Sequence, residues 1–160
     1  MRRRKQNMND VFAGYACIFN EVDLGNDVIL PVAFEASLRE KMPHNISMLW
    51  QHDPNQPIGR WEEMRIDKKG LYVVGRLSID TRQAHDVAVM IADQVIDGLS
   101  IGFKTRRAVQ KARKSTRYIQ DVDLWEISVV TFPMQPNARI LQPKPEINQR
   151  IAEAAAAMRA

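Results

Sequence analysis

The sequence predicts a mainly β protein with flanking helices, an α+β fold built on about seven antiparallel strands. Two observations carry this. Apolar stretches with period-two alternation recur along the chain; in residues 71–79, Leu71, Val73, Gly75, Leu77 and Ile79 share one face. These strand-like stretches cluster instead of alternating regularly with helices. An antiparallel sheet or barrel with helices beside it therefore fits better than a doubly wound fold.

The elements follow in order. Residues 11–19 (VFAGYACIF) are apolar and aromatic, as in a buried strand. Residues 20–26 (NEVDLGN) form a turn, and 27–30 a short strand. Pro31 suits the first turn of a helix, Phe34 and Leu38 lie four apart on it, and Pro43 closes it. Residues 46–50 read as a strand running into a Pro- and Asn-rich loop, QHDPNQPIG. Residues 60–66 and 71–79 form a hairpin about DKKG. A helix follows, with Asp80 as N-cap and Gln83 completing a capping box. Its apolar stripe is Ala84, Val87, Ala88, Ile91 and Val95, and Gly98 stops it. Residues 99–106 and 117–131 are two strands joined by a basic turn, ended by Pro133 and Pro136. Residues 1–9 form a basic tail on a domain spanning 1–145, and residues 146–160 an Ala-rich helical tail.

Composition narrows the function. With 160 residues, 45% hydrophobic and 26% charged, the chain matches a single globular domain. One cysteine, Cys17, cannot form an internal disulfide, which fits a reducing cytosol. One Cys and three scattered His do not make a structural zinc site, and no cofactor fingerprint occurs, so no metal or cofactor is expected. No run approaches the ~20 apolar residues of a membrane span, and the basic start lacks the apolar core of a secretory signal. The net charge of +4 concentrates at residues 2–5 and 104–117. No aromatics interleave these basic residues, so nucleic-acid binding is not the expected role.

The chemistry centres on Ser100 in GLSIG, residues 98–102. The string matches a G-x-S-x-G nucleophile elbow, but here a helix precedes and a strand follows. All three histidines lie before the serine, so an α/β-hydrolase does not fit. What remains is a serine between glycines, open to a substrate backbone and in need of an adjacent base. His85 sits on the amphipathic helix and His44 in a turn after Pro43. His52, in LWQHDP at a strand end, has the rigid mount that suits a general base. A third group must orient the imidazole. In DVDLWEISVVTFP, Leu124, Glu126, Ser128 and Val130 share one face, and Asp123, Trp125, Ile127 and Val129 the other. Glu126 is the more enclosed carboxylate and the first candidate, with Asp123 the alternative.

Three separated stretches, LWQHDPNQPIGRWEEMRIDKKGLYVVGRLSID, DGLSIGF and DVDLWEISVVTFPMQPNARI, resemble the prohead protease family of tailed phages. FAGYACIFNEVDLGNDVILPVAFEASL is similar to that family's opening, so the likeness runs from about residue 11 to 140. The resemblance implies a serine endopeptidase with a closed β-barrel like that of herpesvirus assembly proteases. It implies His52 and Ser100 as the catalytic pair. Herpesvirus proteases place a second His after the Ser; this sequence has none, and Glu126 stands on the strand where that member is expected. The implied substrates are major capsid protein and scaffold polypeptides, and the enzyme itself, inside the immature capsid in the host cytoplasm or a prophage-bearing bacterium. Related viral proteases dimerise, so a homodimer is open. Two other readings compete: a non-catalytic capsid- or scaffold-binding module, and a small basic β-barrel that binds nucleic acid through residues 104–117. Residues 133–139 (PMQPNAR) are the candidate source of oxyanion-binding N–H groups.

Overall fold

The computed structural model describes residues 10–110 and 115–141. The basic head, the tip of the basic turn, the boundary at 145 and the Ala-rich tail lie outside the described residues. In chain order the elements are β1 (Val11–Ile18), β2 (Asp27–Ile29), a 3-10 turn (Pro31–Phe34) and α1 (Glu35–Glu40). A second 3-10 turn (Pro43–Asn45), β3 (Ser47–Trp50), β4 (Asp53–Ile66) and β5 (Gly70–Leu77) follow, then α2 (Arg82–Ala92), β6 (Gly98–Gln110) and β7 (Arg117–Val130).

The described strands form one sheet, β1-β5-β4-β3-β7, with β6 on the far edge of β7. The sheet is mixed and curls into an open half-barrel, which corrects the closed antiparallel barrel expected. Hairpin partners β3–β4, β4–β5 and β6–β7 are antiparallel. β2 and β3 both run parallel to β7 along its other edge, β2 against residues 117–119 and β3 against 126–129. Long connections free a strand from the reversal that a tight turn imposes.

The edge strands β1 and β6 form no ladder with each other. Residues 138–141 run between them. Tyr15 N–H donates to Arg139 O (3.0 Å) and Leu141 N–H to Ala13 O (2.8 Å) on one side. On the other, Leu99 N–H donates to Ala138 O (3.0 Å) and Ile140 N–H to Asp97 O (2.7 Å). A Cβ at Gly14 would lie 2.5 Å from Arg139 O, so a side chain there would push this seam apart.

Inside the curl, Phe12 and Trp61 pack edge to face with centroids 5.7 Å apart. Around them lie Phe34, Met48, Leu71, Leu99, Leu124 and Ile127, all buried. Truncating a core aromatic of this kind costs about 3–5 kcal/mol.

Three local expectations are corrected. The Pro-rich stretch after Trp50 is strand, not loop. β4 begins at Asp53, and the β3–β4 turn has only two residues. Pro54 and Pro57 are tolerated because pairing with β5 begins at Gly59, which leaves the preceding stretch with one neighbour. The cap of α2 is Thr81, not Asp80: its hydroxyl accepts from Ala84 N–H and donates to Ser78 O. The helix ends at Ala92, well before Gly98, because Gln94 takes a left-handed conformation (φ 58°); Val95 is thereby left outside the helix and exposed.

Candidate active site

Ser100 is placed by β6. The ladder sets Ser100 directly opposite Ser128 of β7, and Gly102 opposite Glu126. Opposed residues present their side chains on one face, with Cβ atoms about 5 Å apart. Ser100 is only 5% exposed, and its hydroxyl makes no hydrogen bond among the described residues.

Glu126 reaches this face through a bulge. Phe103 pairs with Leu124 and Gly102 with Glu126, so Trp125 is the extra residue. The alternation resets across it. Val122 and Leu124 point into the core before it, and Ile127 and Val129 after it. Glu126 and Ser128 therefore do not share a face with Leu124, which corrects the strict alternation expected. Trp125 itself is exposed.

His52 comes from the turn between β3 and β4. Trp50 pairs with Asp53, so Gln51 and His52 are the two central residues. Both have positive φ, 54° and 59°, the mark of a type I′ turn. Asn-Gly is the usual choice there; a residue with a Cβ costs about 1–2 kcal/mol in the left-handed region. Bonds to β7 offset this. Gln51 N–H donates to Val129 O (3.0 Å). The Gln51 carboxamide donates to Thr131 Oγ1 (2.7 Å) and accepts from Thr131 N–H (3.1 Å). His52 N–H donates to Ser128 Oγ (3.1 Å). At about 1 kcal/mol each, these four bonds are of the same order as the strain.

The imidazole, 42% exposed, sets Nδ1 2.5 Å from Glu126 Oε1, whose side chain is 14% exposed. Glu126 Oε2 accepts from Ser128 Oγ at 2.6 Å. In the tautomer where Nδ1–H donates to the carboxylate, Nε2 is left as a lone-pair acceptor. A Cβ at Gly102 would collide with the Glu126 carboxylate, so the second glycine of GLSIG gives this acid its space.

Of the residues singled out from the sequence, His52 and Glu126 are in contact, and both bond Ser128, which pairs with Ser100 across the β6–β7 ladder. Asp123 does not join them. Its Oδ1 lies 2.5 Å from Lys41 Nζ, and its Oδ2 accepts from the Trp125 indole N–H at 2.9 Å. The Lys41 bond, with that from Trp125, holds the Asp123 carboxyl below its usual range. His44 and His85 are on the surface. Residues 133–139 lead directly to the seam beside Leu99. Sequence reasoning missed three supporting residues: Gln51, Ser128 and Gly102. Two of them carried a signal. Ser128 stands two beyond Glu126 on one strand, hence on its face, and Gly102 closes the serine motif.

Comparisons with known proteins give the family and the fold. The family described as caudovirus prohead serine protease matches residues 1–152, and the chain belongs to that family. It is 33% identical over 132 residues to the prohead protease of Enterobacteria phage HK97, covering 81% of this chain and 58% of that protein. It is 30% identical over 115 residues to the prohead protease of Escherichia phage T5, covering 69% and 52%. The chain thus spans little more than half the length of these relatives. In fold it is similar to the bacteriophage T4 capsid assembly protease, with TM-score 0.59 and 14% identity over 76% of this chain and 81% of that one. It is also similar to KSHV protease in complex with a hexapeptide phosphonate inhibitor, with TM-score 0.54 and 10% identity over 92% and 76%.

Proposed function

We propose that this chain is a serine endopeptidase of capsid maturation, with Ser100 as nucleophile, His52 as general base and Glu126 as the residue that orients and charge-balances the imidazole. The observation that carries the reading is the His52 Nδ1–Glu126 contact, held on the face of the sheet where Ser100 stands. A base oriented by a carboxylate, beside a serine, is the arrangement acyl transfer requires.

His52 Nε2 takes the Ser100 proton as Oγ attacks a peptide carbonyl. Glu126 stabilises the imidazolium so formed, which then protonates the leaving amine. Water, deprotonated by His52, adds to the acyl ester and releases the acid and free Ser100. Backbone N–H groups of residues 133–139, adjoining the Leu99 seam, are the candidate oxyanion donors; losing one such donor costs about 3–4 kcal/mol in comparable enzymes. The HK97 and T5 relatives are prohead proteases and a third, from Pseudomonas phage PAJU2, is a capsid polyprotein. The substrates we assign are accordingly capsid-protein and scaffold segments, and the protease itself, within the immature capsid in the host cytoplasm. No helix among the described residues is long and apolar enough to cross a membrane.

Intact-mass time courses of the purified chain and its Ser100→Ala variant, alone and with a capsid precursor, test this. Discrete fragments from the parent and none from the variant are expected. Cleavage by the alanine variant at the parent's rate would refute the nucleophile assignment.

A further inference from the structure

The buried hydroxyl of Ser128 hydrogen-bonds to both His52 and Glu126. It accepts from the backbone N–H of His52 (3.1 Å) and donates to Glu126 Oε2 (2.6 Å), while Glu126 Oε1 meets His52 Nδ1 (2.5 Å). These contacts close a ring: serine hydroxyl, carboxylate, imidazole, main chain of the same histidine, and back to the hydroxyl. Each link removes a freedom the other two leave open. The carboxylate–imidazole contact alone lets the Glu126 carboxylate rotate about its terminal torsion, which is broad and two-fold. The bond to Oε2 stops that rotation. The imidazole contact also leaves the left-handed backbone of His52 unsupported at its own N–H, and the bond to Oγ supplies that support. Ser128 is fully buried and directly across the ladder from Ser100, so solvent cannot substitute for its hydroxyl.

We propose that Ser128 is a positioning residue of this site: its hydroxyl orients the Glu126 carboxylate and the His52 main chain together, and so fixes the imidazole relative to Ser100. The inference rests on the reading of Ser100 and His52 as nucleophile and base, and one part of its test does not.

The full chain is compared with Ser128→Ala and Ser128→Cys, the latter keeping the buried volume with a weak donor. On a peptide spanning a mapped cut site, kcat is expected to fall about tenfold or more in Ser128→Ala, with KM within about twofold and the thermal midpoint lowered by roughly a few degrees, because two buried bonds are lost. Ser128→Cys should fall between parent and alanine. In a Glu126→Gln background, Ser128→Ala should cost much less, because the group it acts through is gone. Independently of cleavage, the ring-nitrogen NMR signals of His52 should report an Nδ1–H tautomer in the parent and a tautomer mixture in Ser128→Ala. Unchanged kcat and unchanged His52 signals in Ser128→Ala would overturn the inference. So would a full loss persisting in the Glu126→Gln background. If the alanine variant fails to fold, Ser128→Cys decides by the same two readouts. Cleavage surviving Ser100→Ala would instead sink the reading of the site and leave the His52 tautomer result to judge Ser128.

Discussion

Asp123 and Glu126 stand three residues apart on β7, both acidic and both largely withdrawn from solvent. They have opposite kinds of partner. Asp123 is met by the Lys41 ammonium at 2.5 Å, with Arg106 at 3.6 Å and the Trp125 indole in support. Glu126 is met by a serine hydroxyl and an imidazole, and no Lys or Arg lies within ion-pair distance of it among the described residues. A carboxylate already neutralised by a fixed cation has little left to offer a histidine that becomes charged. One held by neutral donors keeps its full charge for the moment the imidazolium forms. The Trp125 bulge separates the two roles, because it changes which neighbours the next residues meet.

The most severe way to break this comparison is to remove the charge at Glu126 and keep its shape. Glu126→Gln is expected to lower kcat about 10²- to 10⁴-fold with little change in KM, since an amide can hold the ring in the wrong tautomer and cannot balance an imidazolium. Initial rates on a mapped cleavage peptide measure this. A loss below about threefold would mean that Glu126 is a structural acid like its neighbour.

Gly102→Ala sharpens the comparison without touching a charge. The added methyl carbon would sit 2.7 Å from Glu126 Cδ and 2.9 Å from Cγ, so the acid must move. It is the end of a flexible side chain, and the fold can absorb its shift. Activity cannot, since a misplacement near 1 Å costs up to about 10²-fold. We expect kcat lowered about tenfold or more with the thermal midpoint within roughly 2 °C of the parent. Equal activity in the alanine variant would show that the carboxylate position does not matter.

Much of the fold was legible in the sequence. β1, β5 and α2 announce themselves by periodicity, because a period of two or 3.6 has to match a buried face. Ser100 and His52 were legible as candidates from their motifs and mounts, and Glu126 as a candidate from the cost of placing an acid among Leu, Trp and Ile. The rest was written in long-range terms. Gln51 and His52 carry no turn signal, since their left-handed conformation is supported by Ser128, Val129 and Thr131, more than seventy positions away. The bulge at Trp125 is equally silent. Strict alternation put Glu126 beside Leu124, and only the register against β6 shows the reset. The parallel pairing of β2 and β3 with β7 depends on how long connections return, which local patterns do not encode.

Asp123→Asn makes the smallest change and tests the other half of the comparison. Cleavage should stay within about twofold of the parent, because Asp123 contacts none of Ser100, His52 and Glu126. Stability should respond in a pH-dependent way. The Asp123 pKa is lowered in the folded chain, first by the Lys41 bond. Its contribution is therefore present above the unfolded value of about 3.9 and is lost as pH falls through the lower folded value. The thermal midpoint of the parent should exceed that of the variant modestly near neutral pH, and the two should converge as pH falls below the unfolded value of about 3.9. Lys41 keeps its bond to Leu124 O (2.8 Å) in the variant, and at this partly exposed position solvent limits the loss. A gap that persists undiminished in acid would mean that the asparagine disturbs packing and that the ion pair is not what Asp123 contributes. Lost cleavage would mean that the two acids on β7 are not separate in function.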